Sequence, residues 1–291
     1  MQTRTPIVAG QFYPGREDAC IGEIDQYLAE AEVGERLPET IVAGIVPHAG
    51  WTFSGALAAM VFAAVKKRHE NVDTFVLLGA AHSYFGRIPA VFDSGRWLTP
   101  LGEVSIDEEL AAAIVHSESA AADPDAHESE HSIEVQVPFI QRLFPEASIV
   151  PIVVPPNRRA VSLGETVGRI IVGAAGRKIV CIGSTDLTHY GPRYGFTPMG
   201  TGSEACHWAS QVNDRQFIEL ALKMDAGAML ANAAEHHNAC GPGAAAAAVA
   251  AARELGRKKG VLLGQTNSNE VMLRKMGTTG PESVGYAAIV F

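Results

Sequence analysis

This sequence predicts an α/β fold, with a central, mostly parallel or mixed sheet and helices on both faces. Three observations predict it. Apolar runs of strand length recur through the chain: "TIVAGIVP" (40–47), "DTFVLLGA" (73–80), "SIVPIVVP" (148–155), "KIVCIGS" (178–184), "GVLLGQT" (260–266) and "GYAAIVF" (285–291). These runs are continuous rather than alternating, the pattern of strands buried on both faces. Helical stretches fall between them, at 55–68, 107–116, 161–174, 204–222 and 243–255, and such alternation builds a layered sheet.

The remaining segments follow in order. "IPAVFDSG" (88–95) and "WLTPLGEVSID" (97–107) carry turn residues and short alternation, which predicts an edge hairpin between them. The polar "SESAAADPDAHESEHS" (117–132) reads as a loop inside one domain spanning 1–291. "GAAAAAVAAARELG" (243–256) has the highest helix propensity available, side chains small enough for close packing, and Gly256 placed for the C-terminal cap.

Composition narrows the function. Apolar residues make up 47% of the 291 and charged residues 19%, which suits a folded globule and excludes disorder. The net charge is −9, and the basic clusters reach only "KKR" and "RKK", so no nucleic-acid footprint is present. No apolar run approaches the ~18 residues of a membrane span, and "MQTRTPIVAGQFYPGRED" lacks a signal-peptide core. Cys20, Cys181, Cys206 and Cys240 lie far apart with no CxxC pair, so no disulfide framework is expected and cytoplasm is the default location.

The chemistry concentrates at strand tips. "VPHAG" carries His48, "LLGAAHS" carries His82, and "IGSTDLTHYG" carries Asp186 and His189. Ligands of open α/β sheets bind beyond the carboxyl ends of the strands, so these tips can surround one pocket. Cys240 sits just before the alanine-rich helix, where a helix N-terminus favours a thiolate, the metal-binding and nucleophilic form. His69, His116, His127 and His207 read as packing or solvated residues, and Tyr190 and Trp51 as pocket walls. In "ESEHSIEVQVPF", Glu130 and His131 have two open readings. They belong to a helix start capped by Ser132, or they reach the pocket rim as hydrogen-bond partners.

Taken in order, "AGQFYPG", "PHAGWTFSG", "LGAAHS", "EHSIEVQVPF", "STDLTHYG" and "ACGPG" resemble the motifs of the MEMO family. It is also called the AmmeMemoRadiSam system protein B family, and is itself similar to class III (LigB-like) non-haem iron extradiol dioxygenases. The resemblance implies a LigB-like fold and a metal site of His48, His82 and Cys240. It further implies His189 as acid/base with Asp186 beside it. Metal-bound histidines usually donate their other nitrogen to an acceptor, and Glu130 is a candidate for that role. Iron or copper is implied, with zinc also suited, because a thiolate where the dioxygenases have a carboxylate is a softer ligand. Ring opening is therefore not implied. Phe53 stands where the family pattern has tyrosine, and Thr185 where it has serine. A small aromatic substrate, or a phosphopeptide bound by a non-catalytic adaptor, is the ligand expected. The family's second name adds radical-SAM and Amme-type proteins as partners.

Overall fold

The structure, a computed structural model, describes residues 2–34 and 37–291. Four parallel strands form its centre in the order Ala43–Val46, Ile179–Ser184, Thr74–Gly79 and Ser148–Val153. Nearly every residue in them is buried, as continuous apolar runs require. On one side Ser283–Val290 adds antiparallel to Ala43–Val46, and it is flanked in turn by Val261–Asn267 and the short His189–Tyr190. On the other side Ala90–Val91 runs antiparallel to Ser148–Val153 and carries Ala121–Ala122. The sheet is therefore mixed, and it does not close into a barrel.

Two glycines show how helices cover both faces. Ile45 pairs with Gly183 and Gly44 with Ile182, so Gly44 and Gly183 point to opposite faces. A Cβ on Gly44 would lie 2.7 Å from Val61 of the helix Trp51–Arg68. One on Gly183 would meet Ala244 and Ala248 of the helix Pro242–Glu254. That alanine-rich helix is buried from Pro242 to Ala252 and packs against Arg158–Gly173 as well as the sheet. Gly256, at φ +85, follows its end as expected.

Several expectations fail. Residues 88–95 and 97–107 form no hairpin with each other and share one backbone bond, from Ile106 N–H to the Gly95 carbonyl at 3.0 Å. Arg96–Thr99 pairs with Gly102–Ser105, and with Thr3–Arg4, in a separate small sheet, while Ala90–Val91 joins the main one. The 117–132 loop contains Ala121–Ala122 and a 3-10 turn, Pro124–His127. Helices Ala226–His236 and Ser268–Met276 fall outside the predicted helical stretches. The expected 204–222 helix is present and runs unbroken from Ser203 to Leu222, with one widened turn at Ala209–Asn213. Trp51 and Tyr190 are core residues rather than pocket walls, with Trp51 packed against Tyr13 and Phe139. Among the described residues no helix is long and apolar enough to cross a membrane.

Candidate metal centre

The carboxyl ends of the central strands bring His48, His82, Asp186 and Cys240 together, as the tip motifs predict. His48 is buried and committed on three sides. Its backbone N–H donates to Asp186 Oδ1 at 2.7 Å, its Nδ1 lies 3.0 Å from Ser184 Oγ, and its Nε2 lies 3.1 Å from Cys240 Sγ. Ser184 spends its only hydroxyl hydrogen on the carbonyl of Ser132, at 2.7 Å. It must therefore accept from His48, which places the proton on Nδ1 and leaves the Nε2 lone pair facing the thiol.

His82 reaches the same tautomer by another route. Its Nδ1 donates to Glu130 Oε1 at 3.0 Å and its backbone N–H to Oε2 at 3.0 Å. Glu130 also accepts the Ser132 N–H at 2.8 Å. Burial alone would raise this carboxyl, yet the bond and charge of His82 and the backbone donors hold it well below the usual carboxylate range. Burial likewise opposes charge on His82, and the Glu130 contact overrides it and raises the imidazole. A histidine held by a carboxylate through one nitrogen is a recurring support for metal ligation by the other. Of the two readings of Glu130, the pocket partner holds. Ser132 does not cap a helix, because its hydroxyl accepts from Ala80 N.

His131 stacks on His82 with ring centroids 4.8 Å apart and 11° between planes. His48 stands edge-on to both, at 87° and 88°. The donor atoms form two groups, each within 4.8 Å: His48, His82 and His131, and His48, Asp186 and Cys240. His82 and Cys240 thus fall in different groups, with His48 common to both.

The thiol corrects an expectation. Cys240 precedes the helix Pro242–Glu254, but no thiolate is favoured there. Burial, and then the charge of Asp186, push the thiol up. A helix terminus gives about half a charge, too little against desolvation and a neighbouring carboxyl. Asp186 is itself raised by burial, against the His48 N–H bond that favours its ionised form. His189 lies on the Ser283–Val290 side, its ring against Tyr194 at 5.0 Å, and its buried Nε2 has no hydrogen-bond partner. His236 and His237 stay outside both groups.

Sequence reasoning missed three supports. Ser184 sets the His48 tautomer, and it lay unremarked in "STDLTHYG". Asp214, on the widened turn's far side, accepts the Thr188 N–H at 2.8 Å, and burial raises its carboxyl to about 7. Arg4 donates to the carbonyls of His127 and Glu130 and pairs with buried Glu134 at 2.8 Å. Glu134 in turn accepts from Ile7 N, Val8 N and Tyr13 O–H. This clamp ties the N-terminal segment to the loop that presents Glu130 and His131. Only the position of Glu134, four residues after Glu130, hinted at it.

The donor set fits a metal ion. The His48 lone pair faces the thiol and the carboxyl, the donor atom of His82 lies within 4.8 Å of that of His48, and the far nitrogens of both rings are tied back, as metal-ligating histidines require. Fold and site together define a mixed α/β protein with a strand-tip pocket able to hold a metal. The family model described as Memo-like protein matches residues 4–290. A MEMO1 family protein of Thermococcus onnurineus is 39% identical, with 99% of each chain covered. One from Pyrococcus abyssi is 38% identical over 99% of this chain and 98% of its own, and one from Caldivirga maquilingensis 37% over 100% and 99%. The chain belongs to the Memo family.

Proposed function

We propose that this Memo-family chain binds iron or copper at a non-haem site of His48, His82 and Cys240, and uses it in redox or dioxygenase-like chemistry on a small aromatic substrate. The observation that carries this reading is the pair of fixed tautomers. Both histidines present Nε2 to the pocket because Ser184 and Glu130 hold their Nδ1 protons. A bound ion supplies a Lewis-acidic or redox centre.

The protein's own groups have distinct tasks. Glu130 orients His82 and makes it more basic. Asp186 orients His48 through the backbone N–H. His189 holds or moves a proton at Nε2, an atom with no competing partner. The adaptor reading draws less support, because the ionised Glu130 carboxylate repels a phosphate at the same pocket. Radical-SAM and Amme-type proteins are proposed as companions on the family resemblance alone.

The test is metal content per chain after anaerobic, chelator-free purification. Near one equivalent of iron or copper, lost in His48→Ala and kept in His189→Ala, supports the reading. Protein that stays empty with added iron, copper and zinc overturns it, and phosphopeptide binding to that protein would favour the adaptor.

A further inference from the structure

His189 and Tyr286 share one face of the sheet. His189 pairs with Val284, and paired residues of an antiparallel ladder point to the same side. Tyr286 lies two residues beyond Val284 on the strand Ser283–Val290, so it points there as well. The two are diagonal neighbours, about 7–8 Å apart, a separation that aromatic side chains bridge. Further along, the same face carries Val290, which pairs with Gly44. Continued by four residues, that register sets Tyr286 level with His48. The adjoining Gly285 exchanges backbone bonds with Leu187 and Thr188, at 2.8 and 3.0 Å. Tyr286 thus stands between the His48 tip and the segment that carries Asp186 and His189.

Both side chains end in a polar atom with nothing to bond. Tyr286 is 2% exposed, and its hydroxyl makes no hydrogen bond among the described residues. Buried tyrosine hydroxyls ordinarily have a partner. The Nε2 of His189 is buried and unpartnered too, with the Tyr194 ring 5.0 Å from the imidazole. Burial, and then the charges of Asp186, Tyr194 and Cys240, push the Tyr286 phenol up, so it keeps its proton and serves as a donor.

We propose that Tyr286 contacts the substrate, its O–H and His189 Nε2 converging on one hydroxyl oxygen, with Tyr286 donating to the oxygen and His189 accepting its proton. The inference rests on the reading of the pocket as a site for a small aromatic substrate, and assigns the residue that recognises the reacting oxygen. When the proton moves, the substrate O–H bond breaks, an N–H bond forms at His189 Nε2, and the electron pair stays on oxygen. The Tyr286 hydrogen bond strengthens as that negative charge develops, so it favours the transfer. Specificity follows from the same two atoms. A ring bearing a hydroxyl satisfies both, and a ring without one leaves both buried and unpaired.

The probe is 4-nitrocatechol, whose absorbance reports its own ionisation, titrated into anaerobically purified protein with metal content measured on the same sample. Wild-type protein is expected to bind it and to lower the pH at which it ionises. Tyr286→Phe should weaken binding about 10–100-fold, the worth of a hydrogen bond to a charged group, and raise the ionisation of bound probe by about one pH unit. Metal content and the urea midpoint should stay unchanged, because the lost hydroxyl bonds nothing in the protein. His189→Gln should cost less in the Tyr286→Phe background than alone, since both groups act on one oxygen. A Tyr286→Phe protein that binds and ionises the probe as wild type does, or whose urea midpoint falls with its affinity, overturns the assignment. Additive losses in the two variants overturn the convergence on one oxygen. Metal-loaded wild type that takes up no probe also overturns the assignment and leaves the metal site standing. Wild type that rejects added metal overturns the reading on which the assignment rests.

Discussion

The pocket has two walls, and they hold their charges in opposite ways. On the histidine wall, formed by His82 and the 127–136 segment, charges come in pairs: Glu130 is ionised against His82, and Arg4 against Glu134. On the thiol wall, formed by 184–191 and 239–243, burial holds Asp186 and Cys240 toward their neutral forms, and Asp214 behind them likewise. Both walls rise from the same end of the same parallel strands. The difference shows that one site can be prepared for a cation on one side and protonated on the other. If a cation binds as proposed, the histidine wall would need little rearrangement, whereas the thiol wall would have to release a proton.

The largest way to break the histidine wall is Arg4→Met. It strands a buried Glu134 carboxylate and frees two carbonyls of the loop, for a loss of about 3–5 kcal/mol. Urea denaturation would check this, and the double variant Arg4→Met/Glu134→Gln should recover part of the loss. No recovery would mean that Arg4 acts through packing on Trp97, which its guanidinium covers at 4.2 Å.

Asp214→Asn tests the thiol wall from behind. The folded pKa of Asp214, about 7, lies above its ordinary value of 3.8, so the folded state binds the extra proton. Its stabilising effect is full below 3.8 and fades as pH rises toward about 7. The asparagine variant should therefore gain stability relative to wild type across that window, by on the order of 2–4 kcal/mol, and level off above it. Parallel stability curves for the two proteins would refute a neutral Asp214.

Glu130→Gln keeps the shape of the histidine wall and removes its charge. Metal affinity should fall about 10–100-fold, the usual cost of an outer-sphere carboxylate. The pH profile sharpens the same contrast. Lowered Glu130 stabilises above its ordinary 4.5 and loses this as pH falls, while raised His82 stabilises below its ordinary 6.5 and loses this as pH rises. The pair therefore contributes most between those values, and the Gln variant should lose that maximum. Thr185→Ser is the smallest change. It keeps the hydroxyl that donates to Asp186 O and accepts from Gly241 N. One lost methyl costs about 1 kcal/mol, and metal affinity should be unmoved in a titration.

Legibility followed the range of the interactions. Strand tips announced themselves because apolar runs end abruptly in polar motifs, and His48, His82 and Asp186 all came from such ends, while Cys240 came from the start of a helix. The helix over 17–30 carries only three buried residues, Cys20, Ile24 and Tyr27, so its apolar stripe is thin. The hairpin was misread because Arg96–Thr99 finds its partner across a two-residue turn, with Thr3–Arg4 completing the sheet from far away in sequence. The thiol of Cys240 was misjudged because a helix start is visible in sequence and burial beside a carboxyl is not.

By itself, the sequence determined the α/β class, the strand tips where chemistry gathers, the family and the chemical types of the donors. These depend on periodicity and motif order, which are local properties of the chain. Only the tertiary structure decided which nitrogen each histidine offers, which donors share a space, and which groups keep their protons. Those outcomes depend on contacts such as His48 with Ser184 and Arg4 with Glu134, 136 and 130 residues apart in sequence. Desolvation and hydrogen bonding act through space, so they come into being when the chain has closed around the pocket.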